Sequence, residues 1–473
     1  MNKALHAVVL CAILTPGIAM AGKTAIVTNG NDDGPGSFRA AVDAANDDDS
    51  IDEIRFAPGL VVDLKTEVVY TGDQHLEISG RGATVSGATG DPAVAENSTW
   101  GGGLFVSASA GDLEITNISF VDSFNNGVAV FLPESDGTVK VKLTNVKISG
   151  SQFHGLLVDG QSTTGYNTDD VIHPLCEDPY PVDAGVTIEI EIKNSTVVGN
   201  GDLDASFDTS IATGCPQDFD GVRVDQGGDG DIEADIENSH FDGNLADGME
   251  LDETEDGSVY ADVKNSTFEG NGETVPPSDR PDLTDFDDGF DIDEAGNGDI
   301  VAKVKNTSLS ANFDEGLDLD EAGEGDVEVE VKNSVADGNT DEGLKADEED
   351  GGDLVVKINN TSSSGNKAND GVSFVETGDG DLEADIKNSH FDGNGIEDEG
   401  DGLNIGSEDA GVLEVNVKNS TATENVGRGI DAEHDGDDLG STLDVKNSNL
   451  SGNADGPIRI RGDIEETLKN VIE

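Results

Sequence analysis

The chain has 473 residues, of which 100 are Asp or Glu and 26 are Lys or Arg, so its formal net charge at pH 7 is −74. A chain this acidic excludes nucleic acid and anionic membranes as partners, and it favours cations, basic proteins and neutral glycans. Low hydrophobicity with high charge is typical of disordered chains, but a strict apolar alternation along most of this sequence argues against disorder.

The first 21 residues predict a secretory signal peptide. Lys3 precedes the apolar run AVVLCAIL, and Ala19-Met20-Ala21 precedes Gly22. No later stretch is apolar enough to span a bilayer. We therefore expect an exported protein without membrane insertion, either secreted, held at the cell surface or periplasmic.

Two of the three cysteines belong to the expected mature chain, because Cys11 lies within the signal peptide. Cys176 and Cys215 form a lone pair in an oxidising compartment, and two cysteines alone make a poor metal site. They fall in two insertions, roughly 160–184 and 201–219, that flank one short repeat. We expect a disulfide between Cys176 and Cys215 that joins these insertions.

Residues 22–60 predict a cap that protects the N-terminal end of a repeat array. Ser37–Ala45 has the pattern of a short amphipathic helix, and Ser37 is a suitable N-cap. Strands are expected on either side of this helix, at Ala25–Thr28 and Ile54–Phe56.

Residues 61–462 repeat with a period of about 27 residues, and a glycine marks the register of each repeat. A fixed period of this length is typical of a solenoid, whose units bury their apolar faces by stacking on each other. The longer gaps indicate insertions at about 160–184, 201–219 and 271–287. The register glycines are Gly103, Gly127, Gly155, Gly221, Gly248, Gly289, Gly316, Gly343, Gly371, Gly402, Gly429 and Gly456.

Each repeat contains two alternating apolar–polar segments and a short third one. In the repeat from Gly316, Leu317 and Leu319 alternate with acidic residues, and Val327 and Val329 do so after a glycine-rich turn. Three strands and three turns in so few residues predict one coil of a helix of strands. We therefore expect an all-β fold, a single-stranded right-handed parallel β-helix whose apolar residues stack inside. Val222 and Val224 are inward residues of the same kind.

Two series of asparagines recur at the turns between strands. Asparagine tolerates a left-handed turn, and stacked amides can hydrogen-bond from coil to coil, so we interpret both series as structural ladders and not as glycosylation sites. The first series is Asn194, Asn238, Asn265, Asn306, Asn333, Asn388, Asn419 and Asn447. The second series is Asn200, Asn244, Asn271, Asn339, Asn366, Asn394 and Asn453.

Residues 463–473 are expected to form a C-terminal cap or tail. The pattern of Ile464–Ile472 is compatible with an amphipathic helix that closes the array.

The segment VTNGNDDGPGSFRAAVDAAN followed by DEIRFAPG resembles the N-terminal cap of bacterial secreted proteins with right-handed parallel β-helix repeats. These proteins belong to the pectate-lyase-like superfamily, and many carry a CSLREA-type opening, whose six letters are absent here. The resemblance implies export, a surface or matrix location and contact with carbohydrate. It implies no particular activity, because the fold carries lyases, hydrolases, adhesins and structural proteins alike.

Acidic residues recur one position before, two after and four after the register glycine. Neighbouring coils lie ~4.8 Å apart, so three successive coils predict one outward-facing array of carboxylates. Their repulsion is ~1 kcal/mol per pair in water and larger near a protein surface, and calcium with several oxygen ligands would offset it. The alternative is an acidic surface that keeps the protein soluble in a saline habitat. The predicted calcium ligands are Asp247, Glu250, Asp252, Asp288, Asp291, Asp293, Glu315, Asp318 and Asp320.

Two basic residues interrupt these acidic columns, Arg223 and Lys345. A polysaccharide lyase of this fold needs calcium carboxylates beside a basic residue that removes the proton α to a uronate carboxyl, and either residue is a candidate for that base. The alternative for both is an ion pair within a column of like charges. No serine, cysteine or metal triad can be assembled from the sequence.

These patterns favour a non-catalytic exported surface or matrix protein. Its acidic rod would bind cations, calcium foremost, and with them glycans or neighbouring proteins. The alternative is a calcium-dependent polysaccharide lyase, or a glycoside hydrolase, of the pectate-lyase-like superfamily.

Overall fold

The computed structural model describes residues 22–89, 103–132, 137–160, 185–201, 219–272, 288–397, 399–409, 411–436 and 440–473. The expected signal peptide, most of the three insertions and the two candidate disulfide cysteines, Cys176 and Cys215, lie outside these residues. Within them the chain is a right-handed parallel β-helix with three-strand coils, as the repeats predict.

A short helix and two strands cap the N-terminal end. Helix α1 (Phe38–Asp47) begins where predicted, and the Ser37 hydroxyl accepts the N–H of Ala40 at 3.1 Å. Strand β1 (Lys23–Val27) pairs in parallel with β2 (Ile51–Phe56), which pairs in turn with the first long strand of the array. Phe38 is fully buried against the first coils, so the helix covers apolar residues that an open end would expose.

The first face of the β-helix is a parallel sheet of 13 strands within the described residues. In most coils, the strand of this face begins at the register glycine or next to it. They are β4 (Val68–Tyr70), β6 (Gly103–Ala108), β8 (Asn126–Phe131), β11 (Leu156–Gly160), β14 (Val222–Gln226), β16 (Met249–Glu253), β19 (Phe290–Glu294), β22 (Leu317–Gly323), β24 (Leu344–Asp350), β26 (Val372–Gly378), β28 (Leu403–Asp409), β30 (Arg428–Gly436) and β32 (Gly456–Gly462).

The second face is also parallel, and its strands alternate buried and exposed residues. It is formed by β5 (Leu76–Ser86), β7 (Leu113–Val121), β9 (Gly137–Thr144), β12 (Val186–Lys193), β15 (Ile232–Glu237), β17 (Val259–Lys264), β20 (Ile300–Lys305), β23 (Val327–Lys332), β25 (Leu354–Asn359), β27 (Leu382–Lys387), β29 (Leu413–Lys418), β31 (Ser441–Lys446) and β33 (Ile464–Lys469).

The third face is narrow. Strand β3 (Val61–Asp63), the ends of β5 and β7, β10 (Lys147–Ser149) and β13 (Thr196–Val198) pair in sequence. Beyond them the pairing is reduced to single bridges and to β18 (Thr267–Glu269) with β21 (Ser308–Ser310). A strand of about three residues, or a single bridge, therefore completes each turn of the β-helix on this face.

The predicted inward residues form one continuous core. Val222, Val224, Leu319 and Val327 are fully buried, and phenylalanines stack along the axis, with ring centroids 4.8 Å apart for Phe241–Phe268 and 5.3 Å for Phe268–Phe290. Each coil therefore buries its apolar side chains only against its two neighbours.

Both predicted asparagine ladders are present. Members of the first series adopt left-handed φ angles, 53° at Asn265 and 52° at Asn306, and their amides bond from coil to coil, as from Asn306 to Asn265 at 3.0 Å. The second series is buried except for Asn453, which is partly exposed, and Asn244 donates to Asn271 at 3.1 Å. Asn312, which the predicted series omits, continues the buried ladder by accepting from Asn271 at 3.1 Å.

The helix that the sequence pattern allows at the C-terminal end is not formed. Residues Ile464–Lys469 form strand β33, which pairs in parallel with β31, and not an amphipathic helix. Lys469-Asn470 repeats the strand-and-turn motif of Lys446-Asn447, and Asn470 has the same left-handed φ of 55°. The segment therefore continues the second face. Within the described residues, no helix is long and apolar enough to cross a membrane.

Candidate functional site

The nine predicted calcium ligands, here called the acidic array, lie together on the side of β16, β19 and β22 that faces away from the core. Register pairing aligns Glu250 with Asp291 and Asp291 with Asp318, as the spacing predicts. Their exposure differs from the expected hydrated surface, because eight of the nine are at most 8% exposed, and the Asp320 side chain is 18% exposed. An interpretation as a hydrated solubility surface therefore does not describe this array.

Carboxylates one position before a register glycine accept hydrogen bonds from the backbone of the next coil. Asp220 accepts the backbone N–H of Asp247 at 3.1 Å, Asp247 accepts that of Asp288, and Asp288 accepts that of Glu315 at 2.6 Å. Each of these carboxylates thus ties its coil to the next through one oxygen. The repeat needs an acidic residue here for a reason independent of any ligand.

Arg223 closes the N-terminal end of the array. Its guanidinium is 1% exposed and lies 2.7 Å from Asp225 and 3.2 Å from Asp252, and it also bonds to Glu250. His154, which the sequence analysis did not select, extends this cluster, with Nδ1 3.3 Å from Asp220. Burial alone would raise the pKa of Asp220, but the hydrogen bond and charge of His154, with Arg223, lower it.

Lys345 closes the other end. Its Nζ lies 2.9 Å from Asp318, 3.0 Å from Asp320 and 3.8 Å from Asp347. Burial alone would lower the pKa of Lys345, but these carboxylates outweigh it and raise the pKa. Lys345 is therefore a fixed positive charge, and the array is bracketed by one cationic side chain at each end.

In the middle coil of the array, the negative charge of Asp291 is not balanced by a cationic side chain of the described residues. Among the described residues, no lysine or arginine lies within ion-pair distance of Asp291. Burial, together with the charges of Asp293 and Asp288, raises its pKa well above the ordinary value. The same causes raise the pKa of Glu315, chiefly burial and then Asp288 and Asp318. A positive charge near Asp291 and Glu315 would reduce the electrostatic repulsion that Arg223 and Lys345 do not offset.

Among the described residues, four groups of three carboxylates have oxygens close enough to bind one ion, and two of these groups lie wholly within the acidic array. In Glu250, Asp291 and Asp293, and again in Asp288, Glu315 and Asp318, one oxygen per residue lies within 4.8 Å of the others. Asp318 adds an independent sign of a ligand, because its Oδ1 is buried without a hydrogen-bond partner while its Oδ2 contacts Lys345. Hard oxygen donors at this density match calcium, which takes six to eight of them.

A shallow groove of about 460 Å³ lies on the second face, away from the acidic array. The ring of Tyr260 is 40% exposed within it. Lys140 and Lys303 border the groove together with carboxylates of neighbouring strands, such as Glu191 and Asp235. It combines an exposed aromatic face with donors and acceptors of both charges.

No protein-family model matches the chain, and no curated protein matches it. Solved structures to which it is similar include the pectate lyase Pel9A, with 15% identity and a TM-score of 0.40 over 78% of this chain and 80% of that chain. The periplasmic alginate epimerase AlgG has 14% identity and a TM-score of 0.37 over 93% and 89%. The A-module of the Azotobacter vinelandii mannuronan C-5 epimerase AlgE6 has 10% identity and a TM-score of 0.29 over 93% and 97%. The activities that these names state belong to those proteins.

Proposed function

We propose that this protein is a non-catalytic exported scaffold that binds calcium through the acidic array and contacts glycans or neighbouring proteins with its outer faces. The observation that carries the proposal is the buried middle of the array, where Asp291 and the unpartnered Oδ1 of Asp318 lie between two cationic residues that do not reach them both. Calcium would bind there as a structural ion. Titration calorimetry with calcium should give a saturable heat that Asp291→Asn with Asp318→Asn removes.

The contacts of the two candidate bases favour a structural role for both. Arg223 is enclosed by four carboxylates, which hold its proton and shield it from solvent. They are Asp220, Asp225, Glu250 and Asp252. Lys345 is held in its charged form by Asp318 and Asp320. A general base must be unprotonated and within reach of the substrate, and neither residue meets both conditions.

We therefore expect no lyase activity. Purified protein incubated with pectate or alginate, with and without calcium, should produce no ultraviolet absorbance from unsaturated ends, because neither Arg223 nor Lys345 is available as a base. Arg223→Ala is assayed in parallel. Calcium-dependent product from the unsubstituted protein, abolished in an Arg223→Ala variant that still shows the circular dichroism of the folded protein, would instead establish the lyase alternative.

The groove on the second face is the proposed glycan contact. The apolar face of a sugar ring can stack on a half-exposed tyrosine while its hydroxyls bond to surrounding polar groups. Because Lys140 and Lys303 share the groove with several carboxylates, its charge is mixed, and the chain as a whole would repel a polyanion. The groove is therefore proposed for a neutral glycan.

Tyr260→Ala should weaken binding to that glycan about tenfold, corresponding to ~1.4 kcal/mol, whereas Tyr260→Phe should bind as the unsubstituted protein does. The measurement is retention on a panel of immobilised neutral polysaccharides such as cellulose and chitin. Phe313→Ala is the matched control, because Phe313 is a similarly exposed aromatic residue, 37%, outside the groove. Equal retention of all three variants on every matrix that holds the protein would contradict the assignment.

A further inference from the structure

A second set of carboxylates lies inside the coil, turned the opposite way from the acidic array. Five glutamates occupy the position five residues after the register glycine and stack in register. Alternation along each strand directs them to the interior, and none is more than 1% exposed. This inner glutamate column consists of Glu253, Glu294, Glu321, Glu348 and Glu376.

Turn glycines satisfy one oxygen of most of these glutamates. Glu348 Oε1 accepts the backbone N–H of Gly352 at 2.6 Å, and Glu376 Oε1 accepts that of Gly380 at 3.1 Å. The turns stack so closely that a Cβ atom at Gly352 would overlap the carbonyl oxygen of Gly325. The glycines therefore bring an N–H to each glutamate where a larger residue could not fit.

The second oxygen shows what the column requires. Glu376 Oε2 accepts the hydroxyl of Ser407, the next residue of the column, at 3.0 Å. Glu348 Oε2 is equally buried, but its neighbours in the column are glutamates, and it has no donor among the described residues. Where the neighbour carries a hydroxyl proton, the oxygen is satisfied, so a proton is the missing group between two glutamates.

We infer that Glu348 and Glu376 share one buried proton near neutral pH, bound to one carboxyl and donated to the other across the coil junction. The two strands lie ~4.8 Å apart, a spacing that carboxyl side chains can bridge with one O–H···O bond. Loss of the proton would leave two like charges buried next to each other, out of contact with solvent. The junction between β24 and β26 is then a pH-sensitive device that is separate from the proposed calcium function.

Burial is the main cause that raises the pKa of Glu348 and of Glu376, each to about 7. The N–H of Gly352 and the hydroxyl of Ser407 act in the opposite direction. Glutamate in an unfolded chain titrates at about pH 4.3, so the folded pair binds extra protons between about pH 4.3 and 7. The stability from this pair is therefore fully present below about pH 4 and is lost as the pH rises through about 7. Other charged groups near the pair are Glu321, Asp326, Asp347, Glu349, Asp350, Asp353, Asp381 and His434.

The test is performed on calcium-saturated protein, so that the acidic array does not change its charge. Carbon-13 NMR of labelled glutamate carboxyls should show a titration with a midpoint near pH 7 that is missing in Glu348→Gln. Amide exchange of Leu344–Asp350 and Val372–Gly378 is corrected for intrinsic rates and gives the equilibrium constant for opening of these strands. This constant should increase up to about tenfold per pH unit for each proton that opening releases. In Glu348→Gln, whose carboxamide replaces the protonated acid, opening should vary less steeply with pH. The remaining dependence comes from neighbours such as Asp347, whose pKa burial raises to about 7.

Glu383→Gln is the matched control, because Glu383 is exposed on the outer side of β27, and it should behave as the unsubstituted protein does. An unchanged titration and an unchanged pH dependence of opening in Glu348→Gln would overturn the inference. If that variant does not fold, Ser407→Ala gives an independent test, since Glu376 loses its donor and should hold the proton more tightly. The midpoint should then move to higher pH, and a midpoint that stays in place would overturn the inference as well.

Discussion

Arg223→Ala should reduce the free energy of unfolding by about 3–5 kcal/mol, the cost of leaving buried charges without their partner. Arg223 is 1% exposed and bonds to Asp225, Glu250 and Asp252 on two coils. Its removal would leave these carboxylates close together in a region where water cannot screen them. Urea denaturation followed by circular dichroism, in calcium-free buffer, is the measurement.

Arg428→Ala is the control, because the ion pair that Arg428 forms among the described residues is partly exposed and long, 3.9 Å from Asp455. Such pairs contribute about 0–1 kcal/mol, so this change should have little effect. Arg223→Lys should fall between the two, since lysine keeps the charge but loses the planar fork that contacts several carboxylates. A loss for Arg223→Ala no larger than that for Arg428→Ala would show that the buried cluster is not held by this arginine.

Calcium at millimolar concentration should raise the melting temperature well above the effect of sodium chloride of equal ionic strength. An ion that binds only the folded state adds ~2.7 kcal/mol at a hundredfold excess over its dissociation constant. Asp291→Asn with Asp318→Asn should remove this increment. Asp291→Asn alone should raise the stability of the calcium-free protein, since a buried like charge is lost, whereas Asp318→Asn also removes a partner of Lys345. Because the ligands must be ionised, the increment should also be smaller near about pH 5 than near about pH 8.

The control for the double variant is Glu330→Gln with Glu383→Gln, which removes two exposed charges from the second face and should leave the calcium increment intact. A sodium chloride effect equal to that of calcium would contradict the site. Arg280 is replaced by alanine in parallel, because it precedes Asp288 in an insertion outside the described residues. If Arg280→Ala destabilises the calcium-free protein and calcium does not stabilise the unsubstituted one, the counter-charge is this arginine and the calcium proposal is wrong.

The fold was predictable because the position of the glycine in each repeat indicates how successive coils align. Most register glycines correspond to a packing constraint, as at Gly316, where a Cβ atom would be 2.5 Å from the carbonyl oxygen of Gly343. The asparagine turns were predictable for the same reason, since a left-handed φ admits few residues. The error at Ile464–Lys469 came from a weak helical pattern, although Lys469-Asn470 carried the strand-and-turn motif.

The sequence predicted which carboxylates of the site align from coil to coil, but it did not predict that they are buried. Spacing placed Glu250, Asp291 and Asp318 in one column, and the register confirms it. Burial could not be read from the sequence, because an outward residue on a strand is exposed only if nothing covers that face. The inner glutamate column was missed because an inward position was assumed to be apolar. A glutamate followed four residues later by glycine, as in Glu348 and Gly352, was the available signal.

The uninterrupted register of the first face also bears on how such a protein can change over generations. His154 and Asp220 are 66 residues apart yet contact each other as coil neighbours, just as Asp220 and Asp247 do at a separation of 27. Extra sequence is thus admitted between strands, whereas one residue added within a strand would turn its apolar side chains outward. Duplication of a single coil in the gene would lengthen the rod and multiply its carboxylate columns in one event. The same positions between strands are suitable for grafting foreign peptides.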